Sequence, residues 1–77
     1  QGADTLLFDA LRRCRLDLAK RDRVRAYNVA SDQMLREIVQ QQPNTITALS
    51  QVNGMGPRRI ERYGTALLEV LQNHIQG

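Results

Sequence analysis

Seventy-seven residues, 42% apolar and 4% aromatic, make one small domain (1–77) whose core must come from Leu, Ile, Val and Met. No apolar run approaches the roughly 20 residues that span a bilayer, and no basic-then-apolar leader opens the chain, so a membrane partner is not expected. A net charge of +3 and a pI near 9.8 lean toward a polyanionic partner.

The apolar spacing is helical throughout, and no segment alternates like a strand for long. The chain starts at Gln1 rather than Met and reads as a piece of a longer one, with residues 1–4 as a terminal tail. A first helix is expected over about residues 5–20, with Asp4 as its N-cap. Leu7, Leu11, Cys14 and Leu18 form its apolar stripe, while Asp9, Arg13 and Asp17 on the other face stand four apart, close enough to pair mildly. A charged link over residues 21–30 follows and holds Tyr27. Ser31 or Asp32 caps a second helix that turns Met34, Leu35, Ile38 and Val39 inward and ends before Pro43.

Thr45 caps a short third helix burying Ile46, Leu49 and Val52. The hairpin at 53–56 needs glycine for positive backbone angles, and Pro57 suits the first turn of the fourth helix, expected to run to about Tyr63. Gly64 breaks or kinks the pattern, and a last helix brings Leu67, Leu68, Leu71 and Ile75 back over the core. The expected fold is all-α: a compact bundle of about five short helices with a helix-hairpin-helix-like turn.

Catalytic chemistry finds no constellation. His74 is the only histidine and Cys14 the only cysteine, which excludes a disulfide framework and a multi-cysteine zinc site and fits a reducing, intracellular setting. Cys14 on an apolar stripe reads as a small buried hydrophobe. No phosphate-binding loop with its lysine is present, and Gly54-Met55-Gly56 lacks the strand and third glycine of a dinucleotide fingerprint. No catalytic residue, metal site or cofactor is expected in these residues.

Binding is the stronger theme, because the charge is clustered. Lys20, Arg21, Arg23 and Arg25 against Asp22 put +3 into six residues, and Arg58, Arg59 and Arg62 against Glu61 add +2. Residues 32–56 between them carry −1. The Gly54–Gly56 hairpin opens a helix whose unpaired N–H groups, with arginines beside them, can seat a phosphate. It also serves simply as a tight turn. Tyr27 either stacks under an unpaired base while neighbouring guanidinium groups meet phosphates, or packs between the first two helices. Tyr63 reads as core.

Several of these residues together resemble the HRDC domain, the helicase-and-RNase-D C-terminal module, from about Leu7 to Ile75. They are Leu7-Phe8-Asp9-Ala10-Leu11-Arg12, Ser31-Asp32 with Leu35-Arg36-Glu37, Pro43 and Thr45, then Val52-Asn53-Gly54-Met55-Gly56 with Arg59, Tyr63 and Gly64. The Gly-hydrophobic-Gly and the closing Arg-Tyr-Gly are most similar to the copies in RecQ-type DNA helicases. The resemblance implies a non-catalytic accessory module of an ATP-dependent helicase that helps choose single-stranded or branched DNA in repair and recombination. ATP and magnesium would then act elsewhere in the parent chain, in the nucleoid or cytoplasm of a bacterium or the nucleus of a eukaryote. Tyr27 matches an aromatic of the family's link, whereas Ala26 stands where proline is common, which leaves the link less preformed.

The expected interface is Arg21, Arg23, Arg25 and Tyr27 from the link, with Gly54, Gly56, Arg58, Arg59 and Arg62 from the hairpin side, in a monomeric domain. Base-edge readout is not expected, since no helix presents Asn or Gln for it. Two other readings are a regulatory module docking on the helicase core or a partner protein, and an RNA-guiding appendage of an RNase D-type nuclease.

Overall fold

The computed structural model describes residues 2–76, without the side chains of Ala3, Ile75 and Gln76. The expected core role of Ile75 thus lies outside the described residues. Helix α1 (Gly2–Asp22) is longer than its apolar stripe suggests, and residues 2–4 form its first turn instead of a tail. Asp4 sits inside that turn rather than capping it. It still opposes the positive end of the helix dipole, as Lys20 and Arg21 oppose the negative end. At about 1.5 Å per residue, 21 residues account for the longest molecular dimension, 31 Å.

The link contains a one-turn helix, α2 (Ala26–Val29), whose end buries Val29 and Ala30 completely. Ser31 then caps α3 (Asp32–Gln41), its hydroxyl accepting from the Met34 N–H at 3.2 Å. Met34, Leu35 and Ile38 face inward and Val39 packs at the core's edge. Gln42 closes the helix in the left-handed region, φ 47°, one residue before Pro43. Thr45 caps α4 (Ile46–Ser50), accepting from the Ala48 N–H at 3.0 Å. Leu49 and Val52 are buried as expected, but Ile46 keeps 39% of its surface because it lies over Gly64 rather than inside.

In the hairpin, Gly54 adopts φ 90°, and a Cβ there would stand 3.1 Å from the Met34 sulfur. Backbone angle and close packing both require glycine. The next residue, Met55, fills the core. Helix α5 (Pro57–Arg59), a π turn (Ile60–Gly64) and α6 (Thr65–Gln76) follow without interruption, since Arg59, Ile60 and Thr65 all keep right-handed helical angles. At Gly64, where a break or kink is expected, the structure has the end of the π turn, with the chain helical on both sides. The glycine admits the Ile46 side chain, whose Cδ1 would be 3.3 Å from a Cβ at that position.

α1 packs against α2, α3 and α6, so the core lies along its inner face. Leu11, Leu35, Ile38, Leu49, Leu67 and Leu71 are fully enclosed there, and Tyr63 is buried beside them. The radius of gyration is 11.3 Å, close to the ~11.5 Å expected of a compact domain this long.

Candidate nucleic-acid interface

The basic link begins where α1 ends. The Val24 N–H donates to the Ala19 carbonyl at 3.0 Å and the Arg23 N–H to the Lys20 carbonyl at 3.3 Å, the paired bonds of a Schellman turn. Arg23 holds the left-handed position of that turn, φ 58°, where glycine is the usual occupant. The chain then enters α2, which leaves Tyr27 61% exposed. Of the two readings of this ring, the surface position is the one observed.

The two basic runs meet in space. The Arg21 guanidinium lies 6.0 Å from the centroid of the Tyr63 ring and donates to the Asp22 carboxylate at 2.9 Å. It also donates to the Arg62 carbonyl at 3.5 Å, joining residues 41 apart in sequence. The Arg62 guanidinium approaches the second Asp22 oxygen at 3.7 Å. Asp22 therefore sits between one cation of each run. The hydrogen bond from Arg21, and after it the nearby Tyr63 hydroxyl, hold its carboxyl below the ordinary carboxylate range.

A second tie lies one turn along. The Arg59 Nε donates to the Val29 carbonyl at 3.1 Å and the Asn28 carbonyl at 3.3 Å, while its Nη1 donates to the Gly54 carbonyl at 3.1 Å. Between link and hairpin runs an open groove of about 510 Å³. Val24 and Asn28 wall it on one side, Gly54, Gly56, Pro57, Arg58 and Arg62 on the other. Among the described residues, the Arg23, Arg25 and Arg58 side chains are exposed and have no ion-pair or hydrogen-bond partner.

The structure thus brings Arg58, Arg59 and Arg62 together with Gly54 and Gly56 around one groove, while Arg21 touches the Arg62 carbonyl but lines the neighbouring groove between α1 and α6. Arg23, Arg25 and Tyr27 lie on the exposed link that borders the first groove. Arg21 and Arg62 share an acid, and Arg59 is engaged with carbonyls. Sequence reasoning missed Arg15, whose Nη1 donates to the Ala30 carbonyl at 3.0 Å and to Asp32 at 2.8 Å. It also passed over Arg12 and Arg13, which with Leu16 and Ala26 line a separate groove beside α1. The signal was available: Arg12-Arg13-Cys14-Arg15 holds three cations in four residues. The expected Asp9–Arg13 pairing is replaced by an exposed Asp9–Arg12 contact at 3.8 Å, three residues apart.

Cys14 is half-buried between α1 and α6 rather than sealed. Its thiol is pushed up first by burial, then by the charges of Asp17 and Glu69, which makes it a poor nucleophile. No described set of three or more His, Cys, Asp or Glu could hold a metal ion, and no described helix is long and apolar enough to cross a membrane.

Residues 4–71 match the family described as HRDC domain. The chain belongs to the HRDC family. Its relatives include the ATP-dependent DNA helicase RecQ of Pasteurella multocida, 34% identical over 71 residues, which are 92% of this chain and 11% of that protein. The ATP-dependent DNA helicase Q-like 4B of Arabidopsis thaliana is 35% identical over 72 residues, 91% of this chain and 6% of its own length. The RecQ helicase of Haemophilus influenzae is 32% identical over 71 residues, 92% and 12% respectively. This HRDC domain therefore spans about a tenth or less of the curated relatives it matches, and its resemblance to helicase copies of the domain holds.

Proposed function

We propose that this HRDC domain is a non-catalytic accessory module that binds single-stranded or branched DNA for an ATP-dependent helicase of which it is a part. One observation carries the reading: the Arg21–Arg62 contact joins two distant basic runs into one face, beside an exposed tyrosine. Arg23, Arg25, Arg58 and Arg62 meet backbone phosphates, and Tyr27 offers its ring to an unstacked base. Arg21, equally exposed, joins the two runs through Asp22 and the Arg62 carbonyl. ATP and magnesium serve the motor and have no part in these residues. The isolated domain binds weakly, and attachment to a motor already on DNA raises its effective concentration.

The test is a fluorescence-anisotropy titration with labelled single-stranded and duplex oligonucleotides at two salt concentrations. Neutralising four phosphates on a single strand gives a slope of log K against log salt near −2.8, at about −0.7 per phosphate. Tyr27→Ala removes a stacking contribution of roughly 1–3 kcal/mol and weakens single-strand binding at least about fivefold. Unchanged affinity removes the stacking claim.

A second reading, docking on the helicase core or a partner protein, draws on Leu6 and Leu16. These leucines of α1 are 62% and 49% exposed, and Leu16 shares a groove with Arg12, Arg13 and Ala26. It expects weak or salt-insensitive DNA binding in the same titration.

A further inference from the structure

The one-turn helix that carries Tyr27 is too short to stand by itself. A four-residue segment forms at most one turn of hydrogen bonds, and helices this short are unstable without tertiary support. Its last carbonyls have no following turn to receive them. Two arginines from different helices supply the missing donors. Arg59 reaches Asn28 and Val29 from the hairpin side, and Arg15 reaches Ala30 from α1 while pairing with Asp32. Only 13% of the Arg15 side chain is exposed, so its charge is committed inside the fold. Arg59 also ties the same segment to Gly54, which makes link and hairpin one unit.

We propose that Arg59 and Arg15 are positioning residues that hold the link carbonyls from two sides and thereby fix where Tyr27 stands, rather than contacts to nucleic acid. The proposal rests on the DNA-binding reading given above. It assigns Arg59 a role different from that of Arg58 and Arg62, although all three come from one short basic run. The planar guanidinium is required, because one side chain must serve three carbonyls in different directions. A lysine keeps the charge but lacks that fork.

The test measures binding of a labelled oligo-dT of about 15 nucleotides, a length at the upper end of single-strand site sizes, by the unaltered domain, Arg59→Ala, Arg59→Lys and Tyr27→Ala, and by the Arg59/Tyr27 double variant. Positioning predicts that Arg59→Lys weakens binding nearly as much as Arg59→Ala, roughly three- to tenfold. The salt slope stays unchanged, and the double variant binds no more weakly than Tyr27→Ala alone. A direct phosphate contact predicts the reverse: lysine rescues, the Ala variant flattens the slope by about 0.7, and the two losses multiply. Those results would overturn the proposal.

Amide hydrogen exchange at Asn28 and Ala30, whose N–H groups bond Arg25 and Ala26, reads the clamp independently of DNA. Arg59→Ala and Arg15→Ala accelerate it if the arginines hold the link. Unchanged exchange overturns the proposal even where affinity falls. Accelerated exchange with unchanged affinity overturns the positioning role while leaving the DNA-binding reading intact. No binding by the unaltered domain overturns that reading, and the proposal with it.

Discussion

Arg23 occupies a backbone conformation that costs an arginine about 1–2 kcal/mol relative to the right-handed region, at a turn position where glycine is favoured. Among the described residues its side chain has no hydrogen-bond or ion-pair partner that would offset this. The replacement Arg23→Gly separates the two roles: stability holds or rises by up to about 1 kcal/mol, part of the relief being lost to the unfolded flexibility of glycine. Single-strand binding weakens and its salt slope flattens by about 0.7. Denaturant unfolding and a salt-dependent titration check both halves, and unaltered binding removes Arg23 from the interface.

Asp22 makes the complementary case. Its lowered pKa means that the ionised carboxylate favours the folded state above the ordinary carboxylate range, a contribution that fades as pH falls through the lowered value. Asp22→Asn gives up that support and leaves Arg21 and Arg62 unneutralised. The expected result is a less stable domain that binds single strands more tightly at low salt.

Among the elements, the hairpin is the least tolerant of change. Gly54→Ala meets both a left-handed angle and the Met34 sulfur, and a loss of about 1–3 kcal/mol is expected from the backbone alone. At Gly64 the angle is ordinary, and the nearest atom is the flexible tip of Ile46, which can shift, so Gly64→Ala costs less. Thermal or denaturant unfolding of the pair ranks them, and equal losses would contradict this account of the hairpin.

The same contrast shows what could be read in the sequence. The caps Ser31 and Thr45, the stop before Pro43 and the hairpin glycine were legible because each is a local backbone requirement tied to residue type. At Gly64 the disturbed helix was legible, but the Ile46 side chain that needs the glycine comes from another helix and was not. The true ends of α1 were hidden for a related cause: polar residues continue the helix beyond the stripe that marks it. Among site residues, clustering exposed Arg21, Arg23, Arg25, Arg58, Arg59 and Arg62 as a group. Which of them face water and which hold carbonyls depends on partners 30 or more residues away, as Arg59 shows.

Across the molecule, a modest net charge is concentrated by folding. Two basic runs that flank a nearly neutral middle in sequence touch through Arg21 and Arg59, because α1 delivers the link to the helix that follows the hairpin. A second basic groove, lined by Arg12 and Arg13, lies on the α1 side of the link. Tyr27 projects from the segment between these surfaces. The hydrophobic core sets the distance between link and hairpin. The measurement closest to this claim is a residue-resolved NMR titration of the domain with a short single-stranded oligonucleotide. The account predicts that amide shifts concentrate at residues 23–28 and 54–62 and diminish together as salt is raised. Shifts centred on the Leu6 and Leu16 face of α1, or spread evenly over the surface, would contradict it.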